Sequence, residues 1–536
     1  MKNPVTSRSL LKRGLVSVGV AALFATMLPT AALAQTAPDV TTDEMSAVPS
    51  VQLVPRTADS YPFNAADHAR VPVDLAASGF VEQEFFLRGY ANVYTKADGS
   101  LGIHRSEVPY TNRILVRRPA APNKASGTVF VDIYNASNGY DIEDMWRRLA
   151  TNILANGHTY IGVTSKPVNV DALHQFDPER YGALSWYDQP LTDACDYDFA
   201  TSGAWGEVPC TETGLAWDIL TQVGNAVRDP QAGRQILGGI DVKSMFLIGQ
   251  SQSSMYLNTY VNNFHNPVTE ANGGQHVYDG YLSAAGNWVE RSIRDGEFQR
   301  ETVSSTGAVA GPATPVDIDV PWVVVDSEAD RHVFTKQALL PRELDDQTRV
   351  WQVPGTGHTF SWSSVVPHNN ELVKAGRPPR VFPTQFTPYP MEPAMIAAGQ
   401  ALIDNHQKGK ALPASKWFDR DAAGELVRDV NGNVTGGLRY GLMDLTLAEF
   451  KGFATPGDMN GVANPISAEQ FRATWNNRSQ YLAQQRAYDN KLRQAGYLTA
   501  DGQALFAERA NVVLDRIGIA PLSKVVFPEP TVDPVV

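Results

Sequence analysis

From residue 128 onward, short and mostly apolar β-rich runs alternate with stretches of helical period, and few architectures accommodate that rhythm. "GTVFVDIYNAS" is followed by "DMWRRLATNILANG", "TYIGVTS" by "GLAWDILTQVGNAVRD", and "SMFLIG" by "SSMYLNTYVNNF". Further strand-like runs stand at "VYDGYLSAAG", "PWVVVDS" and "RVWQVPG". Strands separated by helices pair in parallel, and a strand that is apolar throughout needs cover on both faces. The pattern therefore predicts an α/β fold, a mostly parallel central sheet with helices on both faces. Upstream, "FVEQEFFLRGYANVYTKADGSLGI" alternates and turns at Ala97-Asp98-Gly99, and "NRILVRRP" resumes the alternation. That reads as antiparallel strands ahead of the parallel layer.

Two stretches break the rhythm. Residues 167–213 have little periodicity but hold Phe176, Tyr181, Trp186, Tyr187, Tyr197, Phe199 and Trp205. A segment of that length without its own period is either a lid or pocket wall, or an inserted subdomain packing its aromatics as a core. Residues 288–319 form a second, polar insertion. A C-terminal extension, residues 361–536, carries helical patterns at "MEPAMIAAGQALIDNHQKGK", at residues 467–496 and at residues 500–517. Within it, Asp429 to Asn433 resembles the opening of a calcium loop, but Tyr440 occupies the place of the terminal acid. Asn431-Gly432 reads better as a hairpin turn.

Residues 35–79 are rich in Pro, Ala, Thr and Asp and form an N-terminal strap. Ahead of them, residues 1–34 have the plan of a secretory leader. Lys2, Arg8, Lys12 and Arg13 precede an apolar stretch, and Ala32-Leu33-Ala34 offers a cleavage site before Gln35. An uncleaved anchor is the alternative, although the apolar stretch is short for a membrane span. The chain is thus expected to be exported, to a bacterial periplasm or beyond it, without stable membrane insertion. Its formal net charge is −12, and loss of the leader makes it more acidic. Such a chain repels phosphates, which excludes nucleic acid as a partner. Cys195 and Cys210 form an even pair, expected as a disulfide in an oxidising compartment, with two buried thiols as the alternative. Without neighbouring histidine pairs they make no zinc site, and no metal or organic cofactor is expected.

The chemistry is sought where such sheets place it, beyond the carboxyl ends of the strands. "FLIGQSQSS" ends an apolar run in Gly249-Gln250-Ser251-Gln252-Ser253, close to the G-x-S-x-G form of a strand-to-helix turn that exposes a serine. A serine hydroxyl is a weak nucleophile until a base takes its proton, and a third group must orient that base. The strand "PWVVV" runs into Asp326-Ser327-Glu328-Ala329-Asp330, and "RVWQV" runs into Pro354-Gly355-Thr356-Gly357-His358. Ser251, an acid and His358 therefore each follow a later strand in the order Ser, Asp/Glu, His. Asp330 is the assigned acid, with Glu328 the alternative. His332 follows the acid too closely, His368 and His406 lie beyond the last sheet strand, and His104, His158 and His276 read as surface or turn residues. The backbone N–H of Gln252 is one candidate donor to an oxyanion. The second is expected from "NASNG" (residues 135–139), with the Ser137 N–H assigned and side-chain turns by Asn135 and Asn138 as the alternative.

Through "YNASNGYD", "GQSQSS", "SEAD" and "GTGH", the chain resembles the α/β-hydrolase superfamily. More narrowly, it is similar to the bacterial exported "alpha/beta hydrolase domain" family. "LVRDVNGNVTGGLRYGLMDLTLAEFKG" (residues 426–452) matches that family's C-terminal signature, and the resemblance covers roughly residues 80–510. It implies an α/β-hydrolase catalytic domain over residues 80–536, with lid-like insertions and a C-terminal extension that wraps the core. It further implies an esterase-like serine hydrolase acting on a small-molecule ester. Acyl transfer, hydrolysis of lactones, amides or polyesters, and a silent binding protein on the same fold are the alternatives.

Overall fold

The computed structural model describes residues 43–519 except 98–99, 188, 191, 205–206, 287–288, 295–316, 334–340, 342–343, 360–366, 382–386 and 456–457. The expected leader and most of the 288–319 insertion lie outside the described residues. Nine strands form one sheet: β1 (Ser50–Val54), β2 (Phe80–Ala97), β3 (Ser100–Pro119), β4 (Thr128–Ile133), β5 (Thr159–Val163), β6 (Ser244–Gln250), β7 (Tyr281–Ala284), β8 (Trp322–Ser327) and β9 (Thr348–Val353). Their spatial order is β1-β2-β3-β5-β4-β6-β7-β8-β9. The first three pair antiparallel, β3 meets β5 antiparallel, and every later pair is parallel.

Each parallel strand sends alternate side chains to opposite faces, the period-two rule of extended chain. On β4, Val129, Val131 and Ile133 join one core while Phe130 joins the other; on β6, Met245 and Leu247 part from Phe246 and Ile248 in the same way. The first core is closed by the helices Ala216–Arg228 and Gln252–Ala271, through Trp217, Leu220, Leu257 and Tyr260. The second is closed by the helix Asp144–Asn156 and by Glu392–Lys408, a helix of the C-terminal extension, through Trp146, Leu149, Met395 and Leu402. Ala500–Ile517 adds Phe506, Val513 and Leu514 to that same core. The described residues belong to one compact unit.

Some local expectations hold and others need correction. The 167–213 stretch contains a helix at Pro167–Phe176 and shorter ones at Pro178–Tyr181 and Phe199–Ser202. Its period is blurred because Asn169 faces inward to Asp141 rather than outward, donating to Oδ1 at 2.6 Å. Among the described residues, its aromatics do not gather into a separate core: Tyr181 and Trp186 are buried in the first core, and Phe176 packs edge-on against Phe63 of the strap. Cys195 and Cys210 form a disulfide. The strap adds β1 to the sheet edge, and its Phe63 and Asn64 carbonyls accept from the buried guanidinium groups of Arg113 and Arg117 at 2.6 Å each. His158 is not a surface residue. It is buried beside Ser126 Oγ, 2.7 Å from Nδ1, and burial pushes its imidazole down to about 4.

Candidate active site

β6 ends at Gln250 and the Gln252–Ala271 helix begins two residues later, so the chain reverses direction on Ser251 alone. Ser251 accommodates the reversal with φ 57° and ψ −122°. A residue with a side chain adopts that backbone conformation only where its surroundings impose it, and such strain gathers at functional sites. The neighbours must be small for the turn to close. A Cβ on Gly249 would lie 2.7 Å from the Ser253 carbonyl oxygen, and one on Gly286 would lie 2.2 Å from Ser254 Oγ.

His358, on the loop after β9, brings Nε2 to 2.9 Å from Ser251 Oγ. Its Nδ1 lies 2.6 Å from Asp330 Oδ1. Asp330 is fully buried past the end of β8, where Oδ2 accepts the Ser327 N–H at 2.6 Å and its own N–H donates to Ser327 Oγ at 3.2 Å. With Nδ1–H donated to the carboxylate, Nε2 presents a lone pair to the serine hydroxyl. Glu328 stands elsewhere. Its Oε2 accepts the Gly355 N–H at 2.7 Å and its Oε1 accepts from Arg428 at 2.6 Å, so it braces the histidine loop without touching the imidazole.

Groups that the sequence reading missed fix the loop carrying His358. Arg148 Nη2 donates to the His358 carbonyl at 3.0 Å, and Gln250 Nε2 donates to the same oxygen at 3.2 Å. Arg148 Nε also holds Gln250 Oε1 at 2.5 Å. A signal existed: Arg148 falls on the buried face of its helix, in register with Met145, Leu149 and Asn152, and a buried arginine needs partners. From the other side, the C-terminal extension closes on the loop. The Thr359 N–H donates to Met459 O at 2.9 Å, and a Cβ on Gly452 would lie 2.5 Å from Thr356 O.

The loop after β4 faces the serine turn. Asn135 Nδ2 donates to Gln250 O at 3.1 Å, which ties that loop to the end of β6. The Ser137 N–H, expected to be a free oxyanion donor, donates to Asn135 Oδ1 at 2.7 Å. The Ala136 N–H donates to Gln252 Oε1 at 2.9 Å, on the residue next to Ser251. Gln252 opens its helix, where N–H groups have no partner within the helix. Beside it lies a cavity of about 60 Å³ lined by Lys166, Gln252, Tyr256 and Arg291, with Glu207 and Val208 of the 167–213 insertion. The buried Lys166 amine donates to Tyr134 O and Ser165 Oγ at 2.8 Å each and sits 4.2 Å over the Tyr256 ring. Burial, with Arg291 nearby, pushes that amine down to about 7.

Residues 46–507 match the family described as alpha/beta hydrolase domain. No curated protein matches the chain. Among solved structures, the chain is similar to an α/β serine hydrolase without a lid from Xanthomonas campestris, at 14% identity over 46% of this chain and 80% of that one, TM-score 0.25. It is similar to esterase Est22 at 13% identity over 52% of this chain and 72% of that one, TM-score 0.26. The rice cell wall degrading esterase LipA from Xanthomonas oryzae matches at 10% identity over 39% of this chain and 43% of that one, TM-score 0.21.

Proposed function

The chain belongs to the alpha/beta hydrolase domain family, and from that premise we propose that it is a serine hydrolase of the carboxylic-ester class. The observation that carries the proposal is the run of contacts from Asp330 through His358 to Ser251, 2.6 and 2.9 Å long, ending on a serine held in a reversed turn. Ser251 Oγ attacks the ester carbonyl carbon while its proton passes to His358 Nε2. The imidazolium is stabilised by the Asp330 carboxylate and returns the proton to the departing alkoxide, leaving an acyl-enzyme. Water then attacks the acyl carbon, gives its proton to Nε2, and the acid leaves as Ser251 is re-protonated.

The tetrahedral oxyanion needs donors aimed at it in advance. The Gln252 N–H is the first. For the second, the Ser137 and Ala136 N–H groups are held by Asn135 Oδ1 and Gln252 Oε1, and either serves once it exchanges that oxygen for the substrate's.

An organophosphate should label the chain stoichiometrically at Ser251, as read by peptide mass. Ser251→Ala should abolish labelling and reduce kcat on small esters by about 10⁴–10⁶. Absence of labelling, or turnover near wild type in Ser251→Ala, would refute the assignment.

We further propose that residues 1–34 act as a leader and that the chain is exported. The Cys195–Cys210 disulfide supports an oxidising destination. Among the described residues no helix is long and apolar enough to cross a membrane. Expression in a bacterial host should yield extracytoplasmic protein whose N-terminal residue is Gln35; cytoplasmic protein retaining Met1 would count against export.

A further inference from the structure

Away from the carboxyl edge, one group of side chains is arranged as a ligand set. His265 lies in the second half of the Gln252–Ala271 helix, His276 follows that helix, and Asp319 stands just ahead of β8. They meet at the amino-terminal edge of the sheet, where Tyr281 opens β7 and Trp322 opens β8. Asp319 Oδ1 lies 3.1 Å from His265 Nε2 and 2.9 Å from His276 Nε2, and the three donor atoms all fall within 4.8 Å of one another. The imidazoles stack, with centroids 5.5 Å apart and planes inclined by 21°. Bonds of about 2.0–2.2 Å to a tetrahedral ion put ligand atoms roughly 3.3 Å apart, a few tenths of an ångström beyond the two Asp319 contacts.

Two features separate this cluster from an ordinary ion pair. His276 Nε2 is shut off from solvent, yet its close contact with Asp319 lacks the alignment of a hydrogen bond. Asp319 Oδ1 is engaged instead by His265 Nε2 at 3.1 Å, which leaves the buried His276 Nε2 without a hydrogen-bond partner among the described residues. On the other side, His265 Nδ1 lies 2.8 Å from the hydroxyl of the buried Tyr281. His265 Nε2 now donates to Asp319 Oδ1 at 3.1 Å; a shift of that proton to Nδ1, donated in turn to the Tyr281 oxygen, would leave Nε2 with its lone pair, the form that ligates, and fix the ring's orientation.

We propose that His265, His276 and Asp319 form a binding site for a divalent transition metal, zinc by preference, with solvent completing the coordination. Two imidazoles and one carboxylate suit zinc, whereas calcium and magnesium favour all-oxygen sets. The largely exposed Asp319 side chain gives the ion a route in. The ion would staple the end of a crossover helix to the segment entering β8, at the sheet edge opposite Ser251. Its role is structural, and it stands independently of the hydrolase reading.

The test uses the full chain, stripped with a chelator, desalted and titrated with zinc chloride by calorimetry. The expected result is one tight equivalent and a raised melting temperature. Asp319→Asn and His276→Asn leave the buried His265–Tyr281 pair in place, and each should weaken binding by at least about tenfold. No zinc uptake by the wild type, or uptake of equal affinity and stoichiometry in both variants, would overturn the site.

Discussion

Two carboxylates follow β8 within three residues, and their surroundings give them different tasks. Asp330 faces the imidazole of His358, while Glu328 is spent on the Gly355 amide and the Arg428 guanidinium. Asp330→Asn leaves the shape of the site but forces the wrong imidazole tautomer, so kcat on small esters should drop by about 10⁴. Glu328→Gln keeps a side chain of the same size but removes the charge opposite Arg428 and turns one of its two accepting oxygens into a donor. Its kcat should stay within about tenfold of wild type while the melting temperature falls, since a buried carboxylate loses part of its charge-assisted hydrogen bonding. The reverse order of effects on kcat would exchange the two roles. Sequence order alone could not separate these acids, because both lie at the depth where a strand-end loop turns back.

At the scale of elements, Asp218 couples the Ala216–Arg228 helix to the bulged part of β2. Its Oδ2 accepts the Asn92 N–H at 2.7 Å, and Oδ1 accepts from the Tyr94 hydroxyl at 2.8 Å. Burial outweighs both contacts and pushes the carboxyl up to about 7. In an unfolded chain the same group loses its proton near pH 3.9. Between those values the native state retains a proton that the unfolded state has given up. The contribution of Asp218 to stability is therefore greatest below about pH 4, falls as pH rises through the window, and levels off above about pH 7. The slope amounts to at most roughly 1.4 kcal/mol per pH unit. Asp218→Asn, whose amide can donate to the Tyr94 hydroxyl, should flatten that part of the profile in urea melts from pH 4 to 8. An unchanged slope would show that the group is ionised in the native state. Glu143 and Asp489, pushed up by burial to about 7 and about 6, act in the same direction, so some slope should persist.

Over the whole molecule, the candidate site is assembled from segments remote in sequence. β6 supplies the serine, β8 the acid and β9 the histidine loop, while the C-terminal extension clamps that loop and lends the helix Glu392–Lys408 to the back of the sheet. The 167–213 insertion lies over the same edge: a Cβ on Gly139, in the loop after β4, would lie 2.1 Å from the Phe199 ring. Removing the insertion would bare side chains of the first core, and removing the extension those of the second.

The alternation of strand and helix was legible in the chain because burial on both faces of a parallel sheet demands unbroken apolar runs, and helices between them demand their own period. The positions of Ser251, Asp330 and His358 beyond the ends of β6, β8 and β9 were legible for the same reason, since parallel strand ends share one edge. What the sequence left undecided depends on side chains meeting across long separations. Which acid faces His358, how Arg148 and Gln250 hold its carbonyl, and which amides of the loop after β4 are already engaged are settled by packing alone. His265 and Asp319 meet across 54 residues, a proximity that no local pattern encodes. Local propensity and periodicity act within a few residues; the contacts that aim a reactive group form only once the sheet has brought its edges together.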